Sequence, residues 1–324
     1  MSVDVDAIID RRRLRRKVSF WRVATLLVLV GLLISLAFLS GFGDQYSQRN
    51  SSHIARVEIE GFISNDQPMI DLLKSLEENE KIEGVILKIS SPGGSTVGGE
   101  ALYEATRSLA EKKPVVATVG TLAASAGYMI ASATDHIVAR RSSIVGSIGV
   151  LFQYADASQL MDKIGVKVDT VKSSPLKAEP SPFHPASDEA IAMIDRLIQD
   201  SYEWFVALVA ERRNLTPLKA RQLADGSIFT GSQGLENGLV DAVGGENVAI
   251  SWMSEEHGVA DDLDVLDWKP KRPREGLFDN PAALTVLARI FGIQLDDSSG
   301  GELEKLLRER LLLDGLVSIW QVSR

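Results

Sequence analysis

The sequence predicts an α/β protein built on a largely parallel β-sheet, with one long apolar segment near the N-terminus. Beyond position 55, short apolar runs alternate with helical patterns of a dozen or more residues. This alternation is typical of βαβ units with helices outside a sheet. The chain has 324 residues, which accommodates one large or two modest domains.

The apolar segment, Val23–Phe42, carries no charge. Twenty such residues are enough for a helix to cross a bilayer core of about 30 Å. The preceding stretch, Arg11–Arg22, is dense in arginine, so the positive-inside rule predicts a cytoplasmic tail over residues 1–22 and an exported remainder. A cleaved signal peptide is the alternative. The run is longer than a usual signal core and no clear Ala-x-Ala site follows it, which favours an uncleaved transmembrane anchor at 23–42.

Residues 43–55 are polar and indicate a linker. The region 56–250 then forms the predicted catalytic domain, and residues 251–324 form a C-terminal extension. Period-two alternation or short buried runs predict strands at Arg56–Ile63, Gly84–Ile89, Val115–Val119 and Val166–Val171. Helical spacing predicts helices at Met69–Ile82, Thr96–Lys113, Asp188–Arg213 (with Ser187 as N-cap) and Glu302–Trp320.

Composition excludes several classes of protein. The net charge of −9 argues against a nucleic-acid binder. The absence of cysteine excludes disulfides and thiolate zinc sites, although it does not fix the compartment.

The stretch "SPGGS", Ser91–Ser95, lies between a predicted strand and a predicted helix. We expect a tight turn there, in which Gly94 offers a backbone N–H with no side chain in the way. An N–H in this position suits a developing negative charge. An ordinary βα turn is the alternative. The stretch lacks the lysine and the glycine spacing of a phosphate-binding loop.

Ser125 lies at the next strand-to-helix junction, within "GTLAASAGYMIASA". A serine just after a strand and close to a glycine can lie on a sharp turn with its hydroxyl exposed, and the N–H of Ala126 would then face the same space. The alternative is a small residue where a helix packs tightly.

A serine nucleophile needs a base. None of the four histidines, at positions 53, 136, 184 and 257, lies in an obvious catalytic motif. A lysine serves as a base only when burial lowers its pKa by several units from about 10.4. Lys172 and Lys177 lie in a proline-rich loop after the predicted strand Val166–Val171.

Four stretches in this order resemble the signal peptide peptidase A (SppA) family in its short bacterial form. They are "SPGGS" at Ser91, "GTLAASAGYMIASATDHIVA" at Gly120, "VGSIGV" at Val145 and "LKAEPSPF" at Leu176, and the resemblance covers about Val57–Gly245. Members of the family are membrane-anchored serine proteases with a Ser–Lys dyad. Their fold resembles the Clp protease and crotonase group, which implies a repeated ββα core.

The resemblance implies a role for each matching residue. Ser125 matches the nucleophile and Lys177 the general base. Gly94 matches the oxyanion glycine, and Ala126 can supply the second N–H. Ser147 lies where a hydroxyl could hold the lysine amine.

Two positions depart from the family pattern. Ala126 stands where glycine is frequent, which keeps the N–H, and Leu176 stands where many members have tyrosine. The second departure leaves Lys172 open as an alternative base.

The resemblance implies an endopeptidase that degrades remnant signal peptides and other apolar peptides, without metal or nucleotide cofactor. It also implies a ring-like homo-oligomer in the bacterial inner (cytoplasmic) membrane, single-pass, with the catalytic domain in the periplasm. Two alternatives stay open: an inactive membrane scaffold that keeps the fold, and a crotonase-type acyl-CoA enzyme, which would need a cytoplasmic site and a coenzyme.

Overall fold

The computed structural model describes residues 17–18, 20–28, 31, 50–271 and 317–319. The chain divides into two compact units, Met1–His53 and Ile54–Arg324. In the first unit, residues 17–18, 20–28 and 31 are helical. Across the described residues, no helix combines the length and apolar character needed to span a membrane. Residues 29–30 and 32–42 of the predicted anchor lie outside the described residues, as do 1–16 and 43–49.

The second unit alternates strands and helices. Its strands are β1 (His53–Ile63), β2 (Ile82–Ser95), β3 (Val115–Ala124), β4 (His136–Ala139), β5 (Ile144–Gly146), β6 (Ile228–Thr230), β7 (Ala242–Val243), β8 (Val265–Trp268) and β9 (Val317–Ile319). Its helices are α1 (Gln67–Glu77), α2 (Thr96–Ala110), α3 (Ala126–Ser132), α4 (Ser158–Ile164), α5 (Asp188–Arg212), α6 (Pro217–Leu223), α7 (Gly231–Asn237) and α8 (Glu246–His257). The mixed α/β class predicted from the sequence is confirmed.

The strands form one sheet whose main path runs β6-β5-β3-β2-β1-β8, with β4 and β7 branching from β3 and with β9 on β2. The pairs β2–β3, β3–β4, β3–β5, β4–β7 and β1–β8 are parallel. The pairs β5–β6 and β2–β9 are antiparallel. Since β8 pairs with β1, the sheet continues beyond residue 250, where the C-terminal extension was expected to begin.

Both faces of the sheet are covered, which explains the uninterrupted apolar runs Val85–Leu87 in β2 and Val115–Ala117 in β3. Val85 and Leu87 of β2 join the larger core cluster together with residues of α1, α2 and α5. Ile86, between them, joins a second cluster with Ala249 and Met253 of α8. Successive strand residues point to opposite faces, so one apolar run supplies both cores.

Three sequence predictions were wrong in detail. Residues 166–171 form no strand. Ser91–Ser95 is the last part of β2 rather than a separate turn, with a positive φ of 115° at Gly93. Ser95 then caps α2 by accepting from the N–H of Gly98 at 3.1 Å. The predicted helix Glu302–Trp320 contains β9, since the backbone there pairs with β2. The cap at Ser187 is confirmed by its hydrogen bond from the N–H of Ala190 at 3.2 Å.

Candidate active site

Ser125 joins β3 to α3 through a strained turn. Its backbone has φ 56° and ψ −118°, a conformation that non-glycine residues rarely adopt. Its side chain therefore does not cap the helix in the way that Ser95 caps α2. The Ser125 N–H donates to the carbonyl of Gly146 at 2.9 Å, which ties the turn to the end of β5. A serine on a strained strand-to-helix turn is the arrangement that presents a nucleophilic hydroxyl in hydrolases with a nucleophile elbow.

The glycines and alanines around Ser125 allow close packing between the turn and β2. A Cβ on Gly127 would lie 3.0 Å from the carbonyl oxygen of Ser91, and one on Gly99 would lie 3.0 Å from the Cβ of Ala126. Both distances are tighter than ordinary contacts, so larger residues would push α3 away from β2 and α2. The small residues thus serve packing, as one sequence reading held, and the same packing fixes Ser125 and Ala126 beside β2.

Gly94 lies at the carboxyl end of β2, next to the strand that carries Ser125. Ser91 pairs with Ala123 in β3, so Gly94 and Ser125 follow neighbouring parallel strands at the same edge of the sheet. A Cβ on Gly94 would overlap the carbonyl oxygen of Ile63 at the end of β1. Ser91 supports this segment, because its hydroxyl donates to the carbonyl of Gly61 at 2.6 Å and accepts from the N–H of Gly93 at 3.1 Å.

Ser147 follows β5, and its backbone also has a positive φ, of 53°. Its N–H donates to the carbonyl of Ser227 at 2.7 Å, and the residue is 8% exposed. It lines a cavity of about 470 Å³ with Leu151, Tyr202 and Gly226 among others. A larger cavity, of about 560 Å³, lies along β1 and β8 and is lined by none of the predicted site residues. Of the predicted site residues, Ser147 alone lines the smaller cavity, so neither cavity is lined by Ser125 or Lys177.

Lys177 lies in a turn of the segment 172–184, where its N–H donates to the carbonyl of Ser174 at 3.1 Å. The Lys177 side chain is exposed, and within residues 50–271 no hydrogen bond or ion pair links it to Ser125. The next residue, Ala178, has φ 61°. In the described part of the chain, the non-glycine residues with positive φ are Ser125, Ser147, Ala178 and Asn214. Three of these four lie at or beside a predicted site residue, and backbone strain tends to accumulate at functional sites.

Lys172, the alternative base, forms an ion pair with Glu179, whose side chain is 6% exposed. The hydrogen bond from Lys172 holds the pKa of the Glu179 carboxyl below its ordinary value, and the N–H of Ser181, at 3.1 Å, acts in the same direction. His184 approaches the same carboxylate at 3.3 Å. The two members of this ion pair flank Lys177 in the sequence, so Lys172 has a structural role in the loop. Sequence reasoning missed Glu179, although it lies two residues after Lys177 within "LKAEPSPF", because its pairing with Lys172 depends on the folded loop.

His136 lies far from Ser125 along the sheet. His136 begins β4 opposite Val116, whereas Ser125 follows Ala124 at the other end of β3. The eight residue-to-residue steps from Val116 to Ala124 span roughly 26 Å. His136 instead stacks on Trp252 at 4.7 Å, and burial lowers the pKa of its imidazole. It therefore belongs to the packing of α8 against the sheet.

The profile of peptidase family S49 matches residues 107–260, and that of the Clp protease family matches residues 49–153. A candidate protease of Synechocystis sp. is 39% identical over 216 residues, which are 66% of this chain and 78% of that protein. A candidate signal peptide peptidase SppA of Enterococcus faecium is 35% identical over 63% of this chain and 60% of that protein. Protease 4 of Haemophilus influenzae is 29% identical over 84% of this chain and 44% of that protein.

Among solved structures, a mutant of the 1510-N membrane-bound stomatin-specific protease aligns with a TM-score of 0.47 at 15% identity, over 68% of this chain and 99% of that one. That similarity is too low to support an argument. The sequence comparisons are strong, and the four stretches that resembled SppA lie within the matched ranges 49–153 and 107–260. The chain belongs to peptidase family S49.

Proposed function

We propose that this protein is a serine endopeptidase in which Ser125 is the nucleophile and Lys177 the general base. The observation that carries the proposal is the strained turn at Ser125, held between the end of β2 and the end of β5. Membership of a peptidase family supports it. The pairing of Lys172 with Glu179 favours Lys177 over Lys172 as the base.

The reaction proceeds through an acyl-enzyme. The Ser125 oxygen attacks the peptide carbonyl carbon while its proton passes to the neutral amine of Lys177. The N–H groups of Gly94 and Ala126 stabilise the oxyanion, and the lysinium returns the proton to the leaving amine as the C–N bond breaks. Water then attacks the acyl-enzyme, and its proton follows the same route. Ser147 holds the lysine amine in position.

Lys177 lies exposed on its loop, so the site becomes complete only when the loop is covered. We propose that a second copy of the chain covers it within a ring-like homo-oligomer. Exposed apolar side chains on segment 151–183 support this, among them Leu160 at 60%, Ile164 at 61% and Phe183 at 46% exposure. Sedimentation of the detergent-solubilised full chain tests the proposal, and a monomer that is fully active would contradict it.

We also propose a single-pass inner-membrane protein with a periplasmic catalytic domain and apolar peptides, including remnant signal peptides, as substrates. The uncharged run 23–42 behind an arginine-rich tail supports the topology. The name of the Enterococcus relative, a signal peptide peptidase, supports the substrate class. A reporter fused after Phe42 tests the orientation, and reporter activity in the cytoplasm would overturn it.

A serine-directed phosphonate tests the nucleophile. We expect it to label Ser125 in the full chain, and we expect Ser125→Ala to abolish both labelling and hydrolysis of a fluorogenic apolar peptide. Ser132→Ala is the matched control, since Ser132 lies in the same short helix and its hydroxyl donates to the carbonyl of Tyr128 at 2.9 Å. Peptide hydrolysis that persists in Ser125→Ala would favour a different nucleophile. A wild-type protein that hydrolyses no peptide would favour the inactive membrane scaffold.

A further inference from the structure

The cavity of about 470 Å³ begins beside the turn that holds Ser125. Ser147 lines this cavity and directly follows Gly146, whose carbonyl accepts from the Ser125 N–H at 2.9 Å. Covalent geometry then keeps the Cα atoms of Ser125 and Ser147 within about 8 Å of each other. An extended peptide covers that distance in two or three residues. A peptide held at Ser125 can therefore place a nearby side chain in this cavity.

Two glycines, on the loops after β5 and before β6, leave the cavity wide. A Cβ on Gly149 would lie 3.8 Å from the Cα of Gly226, and a Cβ on Gly226 would meet no atom within 4 Å. The helix α5 contributes a further wall through Ile198, Gln199 and Tyr202. The space between these elements is in the size range of small-ligand sites, so it accommodates one long side chain.

The walls combine apolar surface with hydrogen-bond acceptors. Val150, Leu151 and Ile198 supply the apolar part. The Tyr202 hydroxyl donates its proton to the carbonyl of Ala224 at 2.9 Å, so a lone pair of its oxygen faces the remaining space as an acceptor. A side chain with an apolar stem and a donor at its end fits such walls.

The charge of the lining is negative. Asp225 lines the cavity, and hydrogen bonds from the hydroxyl and the N–H of Ser227 hold the pKa of its carboxyl below the ordinary value. The carboxylate is thus ionised at neutral pH, and one of its oxygens accepts from the Ser227 N–H at 2.9 Å. Among the described residues that line the cavity, none is a lysine or an arginine. A cation that enters therefore meets a carboxylate with no basic residue of the lining beside it.

We propose that this cavity is a substrate subsite that binds a lysine or arginine side chain two or three residues from the scissile bond, with Asp225 determining the preference. The proposal rests on the proposed function, because it places the scissile bond at Ser125. The apolar stem of the side chain packs on Val150 and Leu151, and its cationic end reaches the carboxylate. A signal peptide carries a basic region before its apolar core. One remnant peptide therefore offers both a basic side chain for this cavity and apolar residues for the rest of the site.

Matched peptides test the preference in the full chain. In a fluorogenic apolar series, one position at a time within three residues of the scissile bond carries lysine, or methionine as its uncharged counterpart. We expect lysine to raise kcat/KM roughly three- to fivefold at one position, the range of an exposed ion pair. In Asp225→Asn, whose amide oxygen still accepts from Ser227, this ratio should fall to about one. Asp200→Asn on α5 is the matched control, since it removes the same charge outside the lining and should keep the ratio.

Charge reversal separates a specificity role from a structural one. Asp225→Lys should favour glutamate over methionine at the same position, an inversion that a damaged fold would not produce. A lysine preference that persists in Asp225→Asn, or no preference at any position, would overturn the subsite. If no position shows a preference while Asp225→Asn lowers the pKa of the pH–rate profile, the carboxylate faces the amine of Lys177 instead.

Binding measured without hydrolysis separates the two proposals. In a Ser125→Ala background, the labelled lysine peptide should bind roughly three- to fivefold more tightly than the methionine peptide, by fluorescence anisotropy, and Asp225→Asn should remove the difference. If this holds while the wild type hydrolyses no peptide, the peptidase proposal fails and the subsite stands. If hydrolysis depends on Ser125 but neither kcat/KM nor affinity distinguishes lysine from methionine, the peptidase proposal stands and the subsite is overturned.

Discussion

The two halves of the proposed dyad are held in opposite ways. Ser125 is 1% exposed, and every residue of the following helix, Ala126–Ser132, is buried. Lys177 lies on an exposed loop beyond α4, a helix in which no residue is buried. The proposed nucleophile is thus positioned by the core, whereas the proposed base is positioned by a segment that the core does not reach. The difference teaches that packing and the hydrogen bond to Gly146 hold the strained turn, while the proposed base depends on local ion pairs and on whatever covers the loop.

The largest loss of activity should come from substitution of Lys177, on the exposed loop. We expect Lys177→Ala to lower kcat by roughly 10³-fold, within the range that a general base contributes. Lys177→Arg should be equally impaired, because a guanidinium keeps its charge but does not accept a proton. Lys172→Ala should cost less than about tenfold, since Lys172 pairs with Glu179. Steady-state kinetics on the full chain checks this, and an inactive Lys172→Ala beside an active Lys177→Ala would reverse the assignment.

A smaller free-energy change should come from the core side. The carbonyl oxygen of Ile63 leaves no room for a Cβ on Gly94, so we expect Gly94→Ala to lower the free energy of unfolding by about 3 kcal/mol. The control is Gly120→Ala, where the nearest atom lies 3.5 Å from the added Cβ and the change should stay within about 1 kcal/mol. Urea denaturation measures both. Equal free energies of unfolding for the two variants would show that the end of β2 accommodates a Cβ at Gly94. The contrast between a tightly packed core side and an exposed loop would then weaken.

The smallest effect should come from the ion pair of the loop. We expect Glu179→Gln to raise deuterium uptake of segment 172–184 roughly two- to fivefold, because the pair with Lys172 and the contact with His184 are weakened. Glu203→Gln, which removes the exposed pair with Arg221, is the control and should leave this segment unchanged. An unchanged uptake in Glu179→Gln would mean that the loop is held by its proline-rich backbone rather than by charge.

The same pair has a pH dependence of known sign. Because the pKa of Glu179 is held below its ordinary value, the pair contributes fully above the ordinary glutamate pKa. The contribution is lost as the pH falls through the lowered value. After correction for intrinsic exchange rates, uptake by the wild-type segment should approach that of Glu179→Gln on acidification.

The alternation of apolar runs and helical patterns was sufficient to predict the α/β class and the three longest strands of the sheet, β1, β2 and β3. It failed where local pattern and tertiary pairing disagree. Valines at 166, 168 and 171 predicted a strand, yet Val171 is fully exposed and the segment has no partner strand in the described structure. "SPGGS" predicted a turn because glycine and proline usually interrupt strands, but here the absence of a Cβ at Gly94 lets β2 pass close to β1.

The sequence by itself determined the chemistry on offer: a serine among small residues, a glycine stretch before it, and lysines after it without a histidine in a catalytic motif. These candidate groups can be recognised in the sequence because they depend only on residue type and on order along the chain. Only the tertiary structure decided that Ser125 is strained, that Lys172 is paired with Glu179, and that Val317–Ile319 lies on the Gly93–Ser95 edge. Each of these depends on which backbone or side-chain groups meet across the fold, and local residue preference does not encode that.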